Sequence, residues 1–352
     1  MQASGGQPVT SRRGSFWVGV EPLQHESGTL VHGPMYVYWE EPAEVLHPLP
    51  LVLVHGGGGQ GTDYLVTPDG RPGWASDLVE LGYKVYVVDR PGHGRSPVHP
   101  DATGAMGPPP TREFIQWLFT PPFEGEGSHP TAHLHTQWPG TREADDPVLD
   151  QFWAGTGPML ADFEMSHALE GARLAELLDR IGEAVLVTHS AGGPAGWLAA
   201  DARPDLVKAL VAIETMGPPF AVVPQMGLSL VWGLAAAPLT FDPPVTVASE
   251  LALVTNELDD GRPPMTLQAE PARSLPNLAG IPIAVVSAEA SVFLHIDENT
   301  VAFLRQAGCD VDLVRLADHG VHGNGHGMML EKNSRDALRV VVDWLESRLP
   351  GT

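Results

Sequence analysis

Residues 184–202 constrain the fold more than any other stretch. Ala184-Val185-Leu186-Val187 is an unbroken apolar run of the kind that forms a strand buried on both faces, and Pro194 to Ala202 reads as a helix. Thr188-His189-Ser190-Ala191-Gly192-Gly193 joins them. A strand that passes straight into a helix bends sharply, so it needs small residues there, and a serine at the apex stands out as a nucleophile. Thr188 occupies the place of the first glycine of G-x-S-x-G, while Gly192 keeps the second.

The rest of the chain repeats this alternation. After a polar, loose stretch from Met1 to Ser15, the runs Ser15–Val20 and Met35–Glu40 predict antiparallel strands, with Glu26-Ser27-Gly28 turning the chain between them. Pro50–Val54 is an apolar strand that runs into His55-Gly56-Gly57-Gly58-Gly59. A helix over Ala75–Leu81 and a strand over Tyr83–Val88 follow, and that strand ends in Asp89-Arg90-Pro91-Gly92-His93-Gly94-Arg95-Ser96. A helix from about Asp162 to Arg180 precedes the serine. After it, strands at Ala209–Ile213, Ile283–Val286 and Val311–Leu316 alternate with helices near Glu298–Ala307 and Ser334–Arg348. Two proline-rich stretches, about 101–158 and 216–278, fit no regular core element and carry scattered aromatics, Phe123 among them. Long irregular segments in a compact enzyme are lids or binding loops. The expectation is therefore one α/β domain over 1–352. Its central sheet is mostly parallel and flanked by helices, with lid or cap insertions at those two stretches, and ligand binds at the carboxyl ends of the strands.

A serine hydroxyl is a weak nucleophile until a base takes its proton, and the base needs a carboxylate to hold its tautomer. Where such an elbow occurs, the order along the chain is serine, acid, histidine. The base then lies on the loop after the last strand, which holds His319, His322 and His326. Gly325-His326-Gly327, directly before the last helix and Glu331, makes His326 the candidate and leaves His319 and His322 to shape the loop. Two carboxylates compete as the acid. Glu214 follows the strand after the elbow, and Glu289 follows the next one, which is the commoner position. Spacing alone leaves both open, and the loser is expected to be a loop carboxylate held by backbone N–H groups. Asp297 and Asp318 read as caps or solvated loop residues. A zinc site from the three loop histidines and Asp318 matches no ligand spacing, and His129, His133 and His135 read as solvated or lid-packing residues. No metal and no cofactor is expected.

Electrophile stabilisation is assigned to His55-Gly56-Gly57-Gly58-Gly59. An H-G-G-G turn leaves a backbone N–H free to face a carbonyl oxygen that becomes an oxyanion, and the N–H after the nucleophile, that of Ala191, is the second donor. Neither a following Lys-Ser/Thr nor G-x-G-x-x-G spacing supports a phosphate loop. Gly58, Trp117, Phe119, Trp153, Phe220 and Trp232 are the candidate substrate contacts, and they predict a roomy, mostly apolar pocket.

The formal net charge of −23 sets nucleic acid and anionic membrane surfaces aside as partners, because both are repelled. A small ester and water are the expected partners, and a homodimer stays open. Cys309 is the single cysteine, so no intrachain disulfide forms. Met1–Ser15 has no apolar leader-like run and no stretch is apolar for a membrane's width. The chain thus reads as cytoplasmic, or as a secreted chain without its leader.

Several segments together resemble bacterial α/β-hydrolase serine esterases with a glutamate after strand six, a group that includes esterases that de-esterify sulfonylurea herbicides. They are Gly14-Ser15-Phe16-Trp17-Val18-Gly19, His55-Gly56 with Thr67-Pro68-Asp69-Gly70-Arg71-Pro72-Gly73-Trp74, Asp89 to Ser96, Thr188-His189-Ser190, and Gly320-Val321-His322-Gly323-Asn324-Gly325-His326. They span nearly the whole chain. The resemblance implies the α/β-hydrolase fold, a triad of Ser190, Glu214 and His326 in preference to Glu289, and an oxyanion N–H at Gly57 beside that of Ala191. Some members carry adjacent cysteines where this chain has Gly57 and Gly58, so any vicinal disulfide is absent and a more flexible turn is implied. The implied activity is hydrolysis of a small, largely apolar carboxylic ester through an acyl-enzyme. Lactones or other activated carbonyls are alternatives within the fold, and a non-catalytic binding protein is the alternative outside enzymology. Serine rather than a carboxylate at position 190 excludes dehalogenase and epoxide hydrolase chemistry.

Overall fold

The computed structural model describes residues 10–121, 129–141, 143, 145–224, 227–258, 262 and 264–349. Eight strands form one sheet: β1 (Ser11–Val18), β2 (Met35–Pro42), β3 (Leu51–Val54), β4 (Val85–Asp89), β5 (Ala184–His189), β6 (Val207–Ile213), β7 (Ile283–Ser287) and β8 (Val311–Arg315). Their spatial order is β1-β2-β4-β3-β5-β6-β7-β8. The first two strands and the β2–β4 pairing are antiparallel, and every other neighbour is parallel. β1 begins at Ser11, which pairs with Pro42, so the end of the stretch read as loose is part of the sheet. Glu26 and Ser27 turn a separate two-stranded hairpin, Pro22–His25 with Gly28–Val31.

Alternate residues of each central strand feed two different cores, which explains their unbroken apolar sequence. Val52, Val54, Leu186 and Leu210 pack on one face with helices α4 (Phe163–Ile181), α5 (Gly193–Ala202) and α6 (Leu294–Gln306). Leu51, Leu53, Val185 and Val187 pack on the other with α1 (Trp74–Glu80) and α7 (Ser334–Arg348). The insertion after β4 is more regular than its prolines suggest. It holds α2 (Arg112–Phe119), whose N-cap Thr111 accepts from Phe114 N–H, and α3 (Pro147–Ala154), where Asp146 caps and Pro147 takes the first helical position. The stretch 216–278 carries two small hairpins, Val222–Val223 with Leu228–Ser229 and Leu253–Asn256 with Met265–Gln268. Phe123 lies outside the described residues.

Strand order reverses between β3 and β5, and Val54 pairs with Thr188 at their carboxyl ends. The glycine turn and the serine turn therefore leave the sheet side by side, in the crevice where open α/β sheets hold ligands.

Candidate active site

Strand β5 runs extended through Thr188 and His189, and Ser190 then takes φ +51°, a left-handed conformation that a non-glycine residue adopts only at a cost in strain. A short 3-10 turn over Ser190–Gly192 leads into α5. Because the bend falls at Ser190, Thr188 keeps a strand conformation that suits a β-branched residue. The small residue it needs lies across the helix: a Cβ on Gly196 would sit 2.6 Å from Thr188 Cγ2.

His326 stands on the loop after β8, 1% exposed. Its Nε2 is 3.1 Å from Ser190 Oγ, and its Nδ1 is 2.9 Å from Glu214 Oε2. Phe293 stacks on the ring at 4.2 Å, and Phe119 lies 5.2 Å away. His189 Nε2–H donates to the His326 carbonyl at 2.9 Å. Behind the loop, Glu331 accepts from Gly325 N–H at 2.9 Å, from Asn324 Nδ2 at 2.7 Å, and lies 2.7 Å from His135 Nε2. Arg71 donates to the carbonyls of Leu330 and Glu331, and Trp74 Nε1 to that of Ser334, so the Thr67–Trp74 segment clamps the turn between His326 and α7.

Glu214 follows β6 at φ +45° and is fully buried. Its carboxylate accepts from Ala288 N–H at 2.8 Å and from the Ser291 hydroxyl. Burial raises it to about 8, against the opposing hydrogen bonds of Ser291 and Ala288, and burial lowers His326 to about 3. Glu289 is placed elsewhere. It accepts from Gly323 N–H at 2.7 Å and sits 3.2 Å from His322 Nδ1, so it holds the histidine loop from outside. Asp297, read as a cap or solvated residue, is fully buried on α6, and desolvation followed by the charge of Glu214 raises its carboxyl well above the usual range. His319, His322 and Asp318 are exposed. Among the described residues no group of three or more His, Cys, Asp or Glu is arranged to hold a metal ion.

The glycine turn lies against the elbow. A Cβ on Gly57 would be 3.1 Å from Ala191 Cβ and 3.0 Å from Met159 Sδ, so residues 57 and 191 are adjacent. Among the described residues nothing accepts a hydrogen bond from Gly57 N–H. Gly58, at φ +65°, accepts at its carbonyl from Gly157 N–H at 2.8 Å and thereby ties the turn to the insertion.

Of the aromatic candidates, Phe119 alone contacts the His326 ring. Trp117 stacks on Phe114 and is 49% exposed, and Trp153 is exposed with its Nε1 on the Pro110 carbonyl. Phe220 and Trp232 are buried in the sheet's hydrophobic cluster, where Phe220 meets Phe303 edge-on at 5.1 Å. The residues that sequence reasoning passed over are His189, Ser291 and Phe293. His189 sat inside the elbow motif, but nothing in a single sequence marks a residue that will meet a loop 137 positions away.

A sheet of this order, with a strained serine after β5 and a histidine after β8, has the form of an α/β-hydrolase. Residues 50–258 match the family described as alpha/beta hydrolase fold, and the chain belongs to it. A probable secreted lipase, phiG, from Fungal sp. (strain ATCC 74256) is 40% identical over 320 residues, 89% of this chain and 86% of that protein. The structure of a novel bacterial esterase superposes with a TM-score of 0.69 at 21% identity over 99% of both chains, a likeness of fold. Among the described residues no helix is long and apolar enough to cross a membrane.

Proposed function

We propose that the protein is a serine carboxylic ester hydrolase with Ser190 as nucleophile, His326 as base and Glu214 as the acid that orients it. The observation that carries this reading is the His326 imidazole, within hydrogen-bond reach of Ser190 Oγ on one side and Glu214 on the other. Ser190 attacks the ester carbonyl while His326 Nε2 takes its proton, and the Gly57 and Ala191 N–H groups receive the oxyanion. His326 then delivers the proton to the leaving alcohol, and an acyl group remains on Ser190. Water repeats the sequence and frees the acid. Each donor in such a hole typically contributes about 3–4 kcal/mol to the transition state.

The substrate is a small, largely apolar ester, because Phe119 and Phe293 pack on the His326 ring and Met159 lies against Gly57. The insertions at about 101–158 and 216–278 serve as the cap. An esterase and a lipase among the similar proteins support this class. The test is Ser190→Ala assayed on a p-nitrophenyl ester: kcat should fall by at least ~10⁴-fold. Activity within tenfold of the parent protein would remove Ser190 from the mechanism.

A further inference from the structure

The peptide that carries the Gly57 N–H also carries the Gly56 carbonyl, and in a planar trans peptide the two point in opposite directions. If the N–H faces the site, the carbonyl faces the interior and must find donors there. Arg90 Nη2 donates to it at 2.8 Å. His55 Nδ1 lies 2.9 Å from the same oxygen, and His55 Nε2 accepts from Arg90 N–H at 3.0 Å, which places the imidazole proton on Nδ1, facing the carbonyl. On the elbow side, the Ser190 carbonyl, which shares a peptide with the Ala191 N–H, accepts from Met216 N–H at 2.9 Å. Arg90 Nη1 reaches the next carbonyl, that of Ala191, at 3.3 Å. One guanidinium thus spans the glycine turn and the serine turn.

This arrangement is costly. Arg90 is 2% exposed, and its partner Glu170, at 2.7 Å, is fully buried with Ser166 Oγ on its other oxygen. A buried ion pair of this kind often adds less stability than apolar residues of similar volume. His55, His93 and His189 crowd the same region, and burial followed by neighbouring charge holds all three well below the usual histidine range, so the guanidinium is the cation there. A lysine ammonium has no planar fork with which to bridge two carbonyls and a carboxylate.

We infer that Arg90 is the positioning residue of the oxyanion hole: its fork fixes the Gly56–Gly57 peptide against the Ala191 turn, so that both N–H donors converge on one point. The inference rests on the esterase reading of Ser190. Its positive charge on the far side of the peptide also polarises the Gly57 N–H toward the developing anion.

The test compares Arg90→Lys with the double variant Arg90→Met/Glu170→Met, which removes both buried charges together. For each, kcat and KM on p-nitrophenyl acetate, inhibition by a trifluoromethyl ketone whose hemiketal oxygen occupies the hole, and the thermal transition are measured. Loss of one well-aligned donor costs about 10²–10³-fold. A misaligned donor should therefore cost kcat about 10–100-fold, leave KM within about threefold, and weaken the ketone by the same factor as kcat. Folded variants with unchanged kcat and unchanged ketone affinity would overturn the role of Arg90. If neither variant folds, a crystal structure of the parent protein with the ketone decides. The hemiketal oxygen on the Gly57 and Ala191 N–H groups with Arg90 on the Gly56 carbonyl supports the inference, and an oxygen bound elsewhere overturns it. Ser190→Ala run alongside separates the two ideas, because full activity there refutes the esterase reading itself.

Discussion

Thr188 is the residue at which this elbow departs from the glycine-flanked form, and its neighbour Gly196 makes the departure affordable. Gly196→Ala alone should destabilise the protein by about 1–3 kcal/mol through overpacking against Thr188 Cγ2. Thr188→Ser in the same chain should recover most of that loss in a urea titration, and no recovery would place the clash elsewhere. Glu214 and Glu289 were indistinguishable by spacing, since spacing says nothing about which loop carboxylate turns inward. Glu214 meets His326, whereas Glu289 meets the backbone of Gly323. Glu214→Gln should lower kcat about 10³–10⁴-fold and Glu289→Gln less than about tenfold, as steady-state rates on one ester would decide. The pH dependence follows with its sign. The working pair has Glu214 ionised and His326 neutral. Burial raises Glu214 to about 8 and lowers His326 to about 3, and Asp297, which feels the charge of Glu214, is raised well above the usual carboxylate range, so protons taken up as the pH falls go onto these two carboxylates before His326. The ratio kcat/KM should therefore fall as the pH drops through about 8, and a flat profile from about pH 6 to 9 would contradict that titration.

The elements of the sheet were legible because a strand buried on both faces leaves an unbroken apolar run, and α7 was read at its actual limits, Ser334 to Arg348. The helices α2 and α3 were hidden by surrounding prolines and glycines, although Asp146-Pro147 is itself a helix-start signal. What no local pattern reveals is the contact between these insertions and the site. His135, read as a solvated or lid-packing residue, is buried against Glu331, and a Cβ on Gly325 would lie 2.7 Å from its ring. The pair fastens the 129–141 segment to the loop that presents His326. Breaking it with His135→Ala removes one of the three hydrogen-bond partners of the buried Glu331 carboxylate and the packing of the ring, so denaturation should show a loss of about 1–3 kcal/mol, and no measurable loss would mean that the pair does not hold the two segments together.

At the scale of the whole molecule, the sheet order brings together parts that are far apart in the chain. The turn after β3, the serine after β5, the carboxylate after β6 and the histidine after β8 meet at one edge because parallel strands all end there. The sequence motifs named most of these residues, and the resemblance chose Glu214 over Glu289. The pocket wall was not legible, since Phe119, Phe220 and Trp232 read alike in sequence, yet of these three only Phe119 has a ring contact with His326. The central claim is that Ser190 is the covalent nucleophile. The most direct measurement is to treat the protein with a fluorophosphonate, digest it, and locate the adduct by mass spectrometry. The account predicts one phosphonyl group per chain on Ser190, matched by loss of p-nitrophenyl ester hydrolysis, and no labelling of Ser190→Ala. An adduct on another residue, or full inactivation with Ser190 unmodified, would contradict it.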